Sequence, residues 1–116
     1  MATRFYRVPE ARRIETQRYR GDCLENAGFP VSGRATIDRN TPIRVGDVVW
    51  CTRHCGTINT YLKKVRRIDA DAVTVGTCYA DPSRDFDFTA AEIFGVVLCA
   101  TDDSGVVRWE RKAACG

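Results

Sequence analysis

Apolar and polar residues alternate in short bursts along this chain, and clusters of Gly, Asp, Asn and Pro separate the bursts. The longest burst covers residues 57–68. Ile58, Thr60, Leu62, Lys64 and Arg66 fall on one face of a strand there, and Asn59, Tyr61, Lys63, Val65 and Arg67 on the other. Shorter strands are predicted over 35–37, 48–52 and 72–76, and 93–100 reads as a strongly apolar strand. Asp102-Asp103-Ser104-Gly105 predicts a hairpin turn into a returning edge strand over 106–111, whose Trp109 faces either the core or a second copy. Residues 3–8 suit a short edge strand that Pro9 ends. Residues 10–20 fit either two helical turns over 10–17 or a strand over 15–20 feeding Gly21.

Turn chemistry fills the spaces between. Leu24 to Ala27 predicts a helical turn that Gly28 ends, as Gly does where φ must be positive. Loops are expected over 30–33 and 78–88, turns at 38–42, 46–47 and 69–71, a hairpin tip over 53–56 and a capped helical stub over 89–92. Many short strands with turns at this spacing give a mainly β fold, expected as a strongly bent antiparallel sheet closing into a partly open barrel.

Length and charge then narrow the picture. A chain of 116 residues is one domain and buries a core without disulfides or metal. The organisation expected is a basic arm over 1–20, one domain over 21–112 and a tail over 113–116. No run of about 18 apolar residues is present to span a membrane. The Arg-rich start has no apolar stretch of the signal-peptide kind, so a cytoplasmic protein is expected. In that compartment Cys23, Cys51, Cys55, Cys78, Cys99 and Cys115 read as reduced thiols, mostly small buried hydrophobes. The net charge of +3 comes from the arm, where Arg4, Arg7, Arg12, Arg13, Arg18 and Arg20 face only Glu10 and Glu15. Such an arm suits an acidic protein surface or nucleic acid, although it lacks the interleaved aromatic residues that stack bases. Its length leaves no room for a helix-turn-helix.

The order of motifs resembles the LexA/UmuD-type self-processing peptidase domain, whose fold is of the signal-peptidase type. The fragments are Gly21-Asp22-Cys23-Leu24, Ala27-Gly28-Phe29, Ile37-Asp38, Gly46-Asp47-Val48-Val49, Lys63-Lys64-Val65 and Gly95-Val96-Val97, spread over about residues 18–100. The resemblance implies a nucleophile at Cys23, where the family carries Ser, and a general base at Lys63. A buried lysine loses solvation and its pKa falls, so its amine could accept the proton of a neighbouring thiol. Backbone N–H groups around Cys23 could hold an oxyanion. The setting it points to is a prophage or a stress response.

Two functions stand open at this stage. One is a minimal standalone peptidase-fold domain with a Cys23/Lys63 dyad. The other is a non-catalytic regulator or inhibitor on the same scaffold, of the phage antirepressor or anti-CRISPR type. It would bind a protein partner, homodimerise, or touch nucleic acid through Arg4, Arg7, Arg12 and Arg13. No cofactor is implied. Cys51, His54 and Cys55, with Cys78 or Cys99, are ligand types for zinc, but a second closely spaced pair is missing and no metal is expected. A Cys–His pair at His54 has no orienting motif. Asp81, Asp85 and Asp87 beside Phe86 and Phe88 read as a solvated loop with anchoring aromatics rather than a cation site.

Overall fold

A computed structural model describes residues 14–22, 24–55, 57–77 and 85–112, with backbone but not side chains at 54–55 and 57–59. Among these residues eight strands form one antiparallel sheet: β1 (Ile14–Arg20), β2 (Ser32–Asp38), β3 (Val48–Cys55), β4 (Thr57–Ile68), β5 (Val73–Gly76), β6 (Phe86–Phe88), β7 (Ile93–Asp102) and β8 (Val107–Glu110). The spatial order is β1-β2-β7-β3-β4-β5-β6, and β8 pairs with β7 beside that path. Two single 3-10 turns, Glu25–Ala27 and Ala90–Glu92, are the helical elements described.

Strand β7 organises the rest. Its Val96 to Asp102 pair with β2 along one edge. The opposite edge is divided: Ile93, Gly95 and Val96 pair with β3, and Cys99 to Thr101 pair with β8. The end of β2 comes close at Gly95. A Cβ there would lie 2.5 Å from Ile37 Cγ2 and 2.9 Å from the Asp38 carbonyl oxygen, so only hydrogen fits.

Both faces of the central strands are covered, which explains why β3 and β7 are apolar without alternation. On one face Leu24, Phe29, Ala35, Ile37, Val48, Trp50, Val97 and Ala100 are buried, with Tyr19, Leu62, Phe94 and Trp109 packed around them. On the other face Val49, Cys51, Val65, Val73, Val75, Phe88 and Val96 are buried, with Ile43, Tyr61, Phe86 and Ile93 against them. Successive residues of β3 therefore serve opposite cores, as strand geometry requires.

One ion pair closes the gap between β3 and β8. Asp47, just before β3, is 4% exposed. Arg111, just after β8, donates to both its carboxylate oxygens at 2.8 and 3.0 Å. The Arg44 N–H donates to the same carboxylate at 2.8 Å. Burial pushes the Asp47 pKa up, but the Arg111 hydrogen bonds, the Arg44 N–H and the two guanidinium charges outweigh it and hold the group below its ordinary 3.8. Arg111 also continues the β7 ladder through its N–H to the Leu98 carbonyl at 2.8 Å.

Several expectations change at this level. The sheet neither closes nor curls strongly, so the expected barrel is replaced by an open sheet. Closure would need β1 to pair with β6, and among the described residues they stand at opposite ends of the strand order. Residues 14–20, grouped with the basic arm by charge, are a sheet strand, and the strand alternative for 15–20 is the one adopted. Residues 86–88, expected in a loop, form β6 because Phe88 is buried and Val73 to Val75 offer it a free ladder. The tip expected over 53–56 is tighter, since pairing continues to Cys55 and Thr57. The strand over 57–68 has its expected bounds, with a register shift between Val65 and Arg67. Trp109 is half-buried against Phe29 with ring centres 4.5 Å apart, which is the core-facing alternative. The strand expected over 3–8 and the tail over 113–116 lie outside the described residues.

Three stability measurements test this account. Arg111→Ala should cost about 3 kcal/mol in urea unfolding, because it leaves a carboxylate buried without its partner. The lowered Asp47 pKa contributes stability that is present above its unfolded value and lost as pH falls through the folded value. Wild-type stability should therefore drop below about pH 4 more steeply than that of Asp47→Asn. Gly95→Ala should cost about 1–3 kcal/mol through overpacking, read as a lower urea midpoint with an unchanged slope.

Candidate functional site

The turn that carries Cys23 is a short, well-fastened loop between β1 and β2. The Gly21 N–H donates to the Val31 carbonyl at 2.8 Å and shuts the base of the loop. Inside it, the Glu25 N–H donates to the Asp22 carbonyl, and the Leu24 carbonyl accepts from Ala27 and Phe29. The 3-10 turn then ends at Gly28 with φ +103°, a left-handed conformation that glycine adopts without strain. Leu24 and Phe29 drop into the core as two plugs. The Tyr19 hydroxyl donates to the Pro30 carbonyl at 2.6 Å, and its ring meets the Phe29 edge. Burial, with the charge of Asp103, pushes the Tyr19 pKa up to about 12, so the hydroxyl keeps its proton. Cys23 itself lies outside the described residues, and so does its separation from Lys63.

Lys63 pairs with Val49 on β3. Its amine lies 5.6 Å from the centre of the Phe86 ring, on the face that carries Val49, Cys51 and Val65. Leu24 packs on the opposite face, with Trp50 and Leu62. Lys64 is the lysine that alternation places on that second face, and it lines a groove with Leu24 and Trp109.

The turn and the Lys63 segment still meet along one groove of about 350 Å³. Its walls are Arg18, Tyr19, Arg20 and Gly21 on one side and Thr60, Tyr61, Leu62 and Lys63 on the other, over a floor of Leu24, Phe29 and Trp50. Each wall is a run of consecutive residues. Along β4, alternation turns Leu62 to the Trp50 face and Tyr61 to the other. β1 is an end strand that pairs only with β2 among the described residues. Thr60, Tyr61 and Leu62 pair with β3 on one side, and among the described residues β5 pairs with β4 from Lys64 to Ile68. The groove therefore lies beside the edge of β1, which among the described residues is an end-strand edge of the kind that can receive an added strand.

Beside it, Tyr61, Phe86 and Phe88 form an aromatic triangle with ring centres 5.2–5.6 Å apart. Arg53 caps Phe88 at 4.2 Å and grips Glu92 with two hydrogen bonds of 2.9 and 3.2 Å. Those hydrogen bonds and the Thr89 N–H pull the Glu92 carboxyl down to about 2. The Thr89-to-Glu92 capping box matches the stub expected there.

The other candidate residues fall as follows. Cys51 is fully buried in the second core, and burial, with Glu92 nearby, pushes its thiol up to about 12. The side chains of His54 and Cys55 lie outside the described residues, as does Cys78. Among the described residues no three His, Cys, Asp or Glu side chains gather as metal ligands. Asp85 faces Arg66 at 3.6 Å and Asp87 accepts from the Thr74 hydroxyl at 2.7 Å, so each has a structural partner; Asp81 is outside the description. Arg4, Arg7, Arg12 and Arg13 are also outside it. Arg18, Tyr19, Arg20 and Trp50 were not singled out from sequence as site residues. The one available signal was the strand alternative for residues 15–20, which would have put that run on a sheet edge.

Cys51 should resist a thiol reagent at neutral pH in the folded protein and react once urea unfolds it, as read by mass spectrometry of the labelled peptides. Rapid native labelling of Cys51 would contradict its burial.

Comparison with protein-family models, curated proteins and solved structures produced no match, so the functional reading rests on the residues of this chain.

Proposed function

We propose that this chain is a LexA/UmuD-like peptidase-fold domain whose groove takes an extended polypeptide segment. Cys23 would stand in the nucleophile position and Lys63 in the base position, and the setting would be a prophage or a stress response. The observation that carries the reading is the shared groove: Gly21 and Leu24 bracket Cys23 on one wall and floor, and Lys63 ends the other wall. A segment laid along the β1 edge would gain main-chain hydrogen bonds there, and its carbonyls would pass the turn. In this chemistry the Cys23 thiolate attacks the scissile carbonyl, and the proton it gave to Lys63 goes to the departing amine. A thioester then forms, and water hydrolyses it.

A second reading is a non-catalytic regulator that binds polypeptide in the same groove. The position of the Lys63 amine over Phe86, on the face opposite Leu24, favours it. In that reading the groove binds without a working dyad.

Alkylation of the full-length protein with iodoacetamide, mapped residue by residue across pH, separates the two. A dyad predicts that Cys23 reacts at neutral pH about tenfold faster than an ordinary thiol, and that Lys63→Met removes the excess. A Cys23 rate equal to that of an ordinary thiol, unchanged by Lys63→Met, rejects the peptidase and leaves the regulator.

A further inference from the structure

We infer that the open face of β1 and β2, where Arg18, Arg20 and Arg34 gather, docks on the phosphate backbone of double-helical nucleic acid. The inference goes beyond the groove and does not rest on what the groove binds.

The described arginines sort into two groups. Outside this face, every one of them has a carboxylate oxygen at 3.7 Å or closer. Arg18, Arg20 and Arg34 have no such partner among the described residues, and all three are exposed.

The sheet brings these three together. Arg18 pairs in register with Arg34, which puts their Cβ atoms about 5 Å apart on one face. Arg20 lies two residues along β1, on the same face and about 7 Å from Arg18. Like charges directly opposite each other in a sheet are destabilising, so the fold carries this pair at a cost. An anion between the two guanidinium groups removes that cost, and their planar forks match phosphate oxygens. Thr16 and Thr36, the next like pair in register, and Thr101, opposite Arg34 on β7, add hydroxyl donors of the kind that contact phosphate. Two carboxylates border the face, and both are engaged: Glu15 faces Arg39 at 3.7 Å, and Asp103 accepts from the Ser32 hydroxyl at 2.8 Å. Glu110, opposite Cys99 on β8, marks the far limit of the face.

The chemistry of the face chooses the partner. Protein interfaces centre on a buried aromatic or apolar anchor. Here the exposed large apolar side chains are Ile14 on β1 and Val107 on β8, with two strands between them. A single nucleic acid strand needs aromatic rings on which to stack its bases, and Tyr19 turns to the opposite face, against Phe29. What remains is a set of donors for phosphate oxygens with no means of reading bases, which suits the outside of a duplex. The chain entering β1 carries Arg4, Arg7, Arg12 and Arg13 against Glu10, so its charge has the same sign.

A short labelled DNA duplex of mixed sequence, titrated with the full-length protein and followed by fluorescence anisotropy at several salt concentrations, tests the inference. Affinity should fall steeply with salt. Arg34→Gln should reduce the slope of log affinity against log salt by about 1, and the double variant Arg18→Gln/Arg34→Gln by about 2, one phosphate contact each. Arg34→Glu sets opposite charges across the pair, so it should raise the urea midpoint while binding falls at least ~tenfold at low salt. Should that variant not fold, the Gln variants carry the test. Arg34 does not line the groove, so losses in its variants are separate from anything the groove binds. A wild-type slope retained in Arg18→Gln/Arg34→Gln, or no duplex binding at all, would overturn the inference. So would polyglutamate that displaces the duplex as well as unlabelled duplex does, which would assign the face to an acidic protein, or a single strand that binds tighter than the duplex.

Discussion

Two strands share one edge of β7, and the structure depends on how that edge is divided. β3 occupies its first half and β8 its second half, so the two must part where they would otherwise collide. Asp47 at the entrance to β3 and Arg111 at the exit of β8 meet across that parting through two hydrogen bonds. The carboxylate is buried, so its charge is tolerated only because the guanidinium and the Arg44 N–H satisfy it. Directional pairing of this kind sets a geometry that apolar packing alone would leave loose.

The two cores follow from the same arrangement. With both edges of β7 filled, Val96 and Val97 must each be covered from their own side. The Leu24 and Phe29 plugs cover one side, and β5 and β6 bring Val75 and Phe88 to the other. The plugs belong to the turn that holds Cys23, so the stability of the first core and the rigidity of the candidate site are coupled. A change that loosens Phe29 from Tyr19 and Trp109 would loosen the groove floor as well.

Strand edges are usually a hazard, because they invite pairing with other chains. Here Arg18 and Arg20 put exposed charge on the end strand β1, which discourages indiscriminate pairing. Lys63 takes part from the other wall while its amine reaches the aromatic triangle, so one residue contributes to both the groove and the second core.

Local chemistry made much of this readable from sequence. The alternation over 57–68, the Gly28 stop, the Asp38 and Gly46-Asp47 turns and the Thr89-to-Glu92 cap all act within a few residues, and each stands where it was expected. The opposite faces of Lys63 and Lys64 follow from strand periodicity alone. Long-range pairing was not readable. Nothing local says that β8 joins β7 beside β3, that Arg111 reaches Asp47 across 64 positions, or that residues 86–88 become a strand. Nor does any motif say that the sheet stays open, since closure is decided by whether the end strands meet. Which edges remain available to a partner is the sum of all those pairings, so the candidate groove exists only in the tertiary structure.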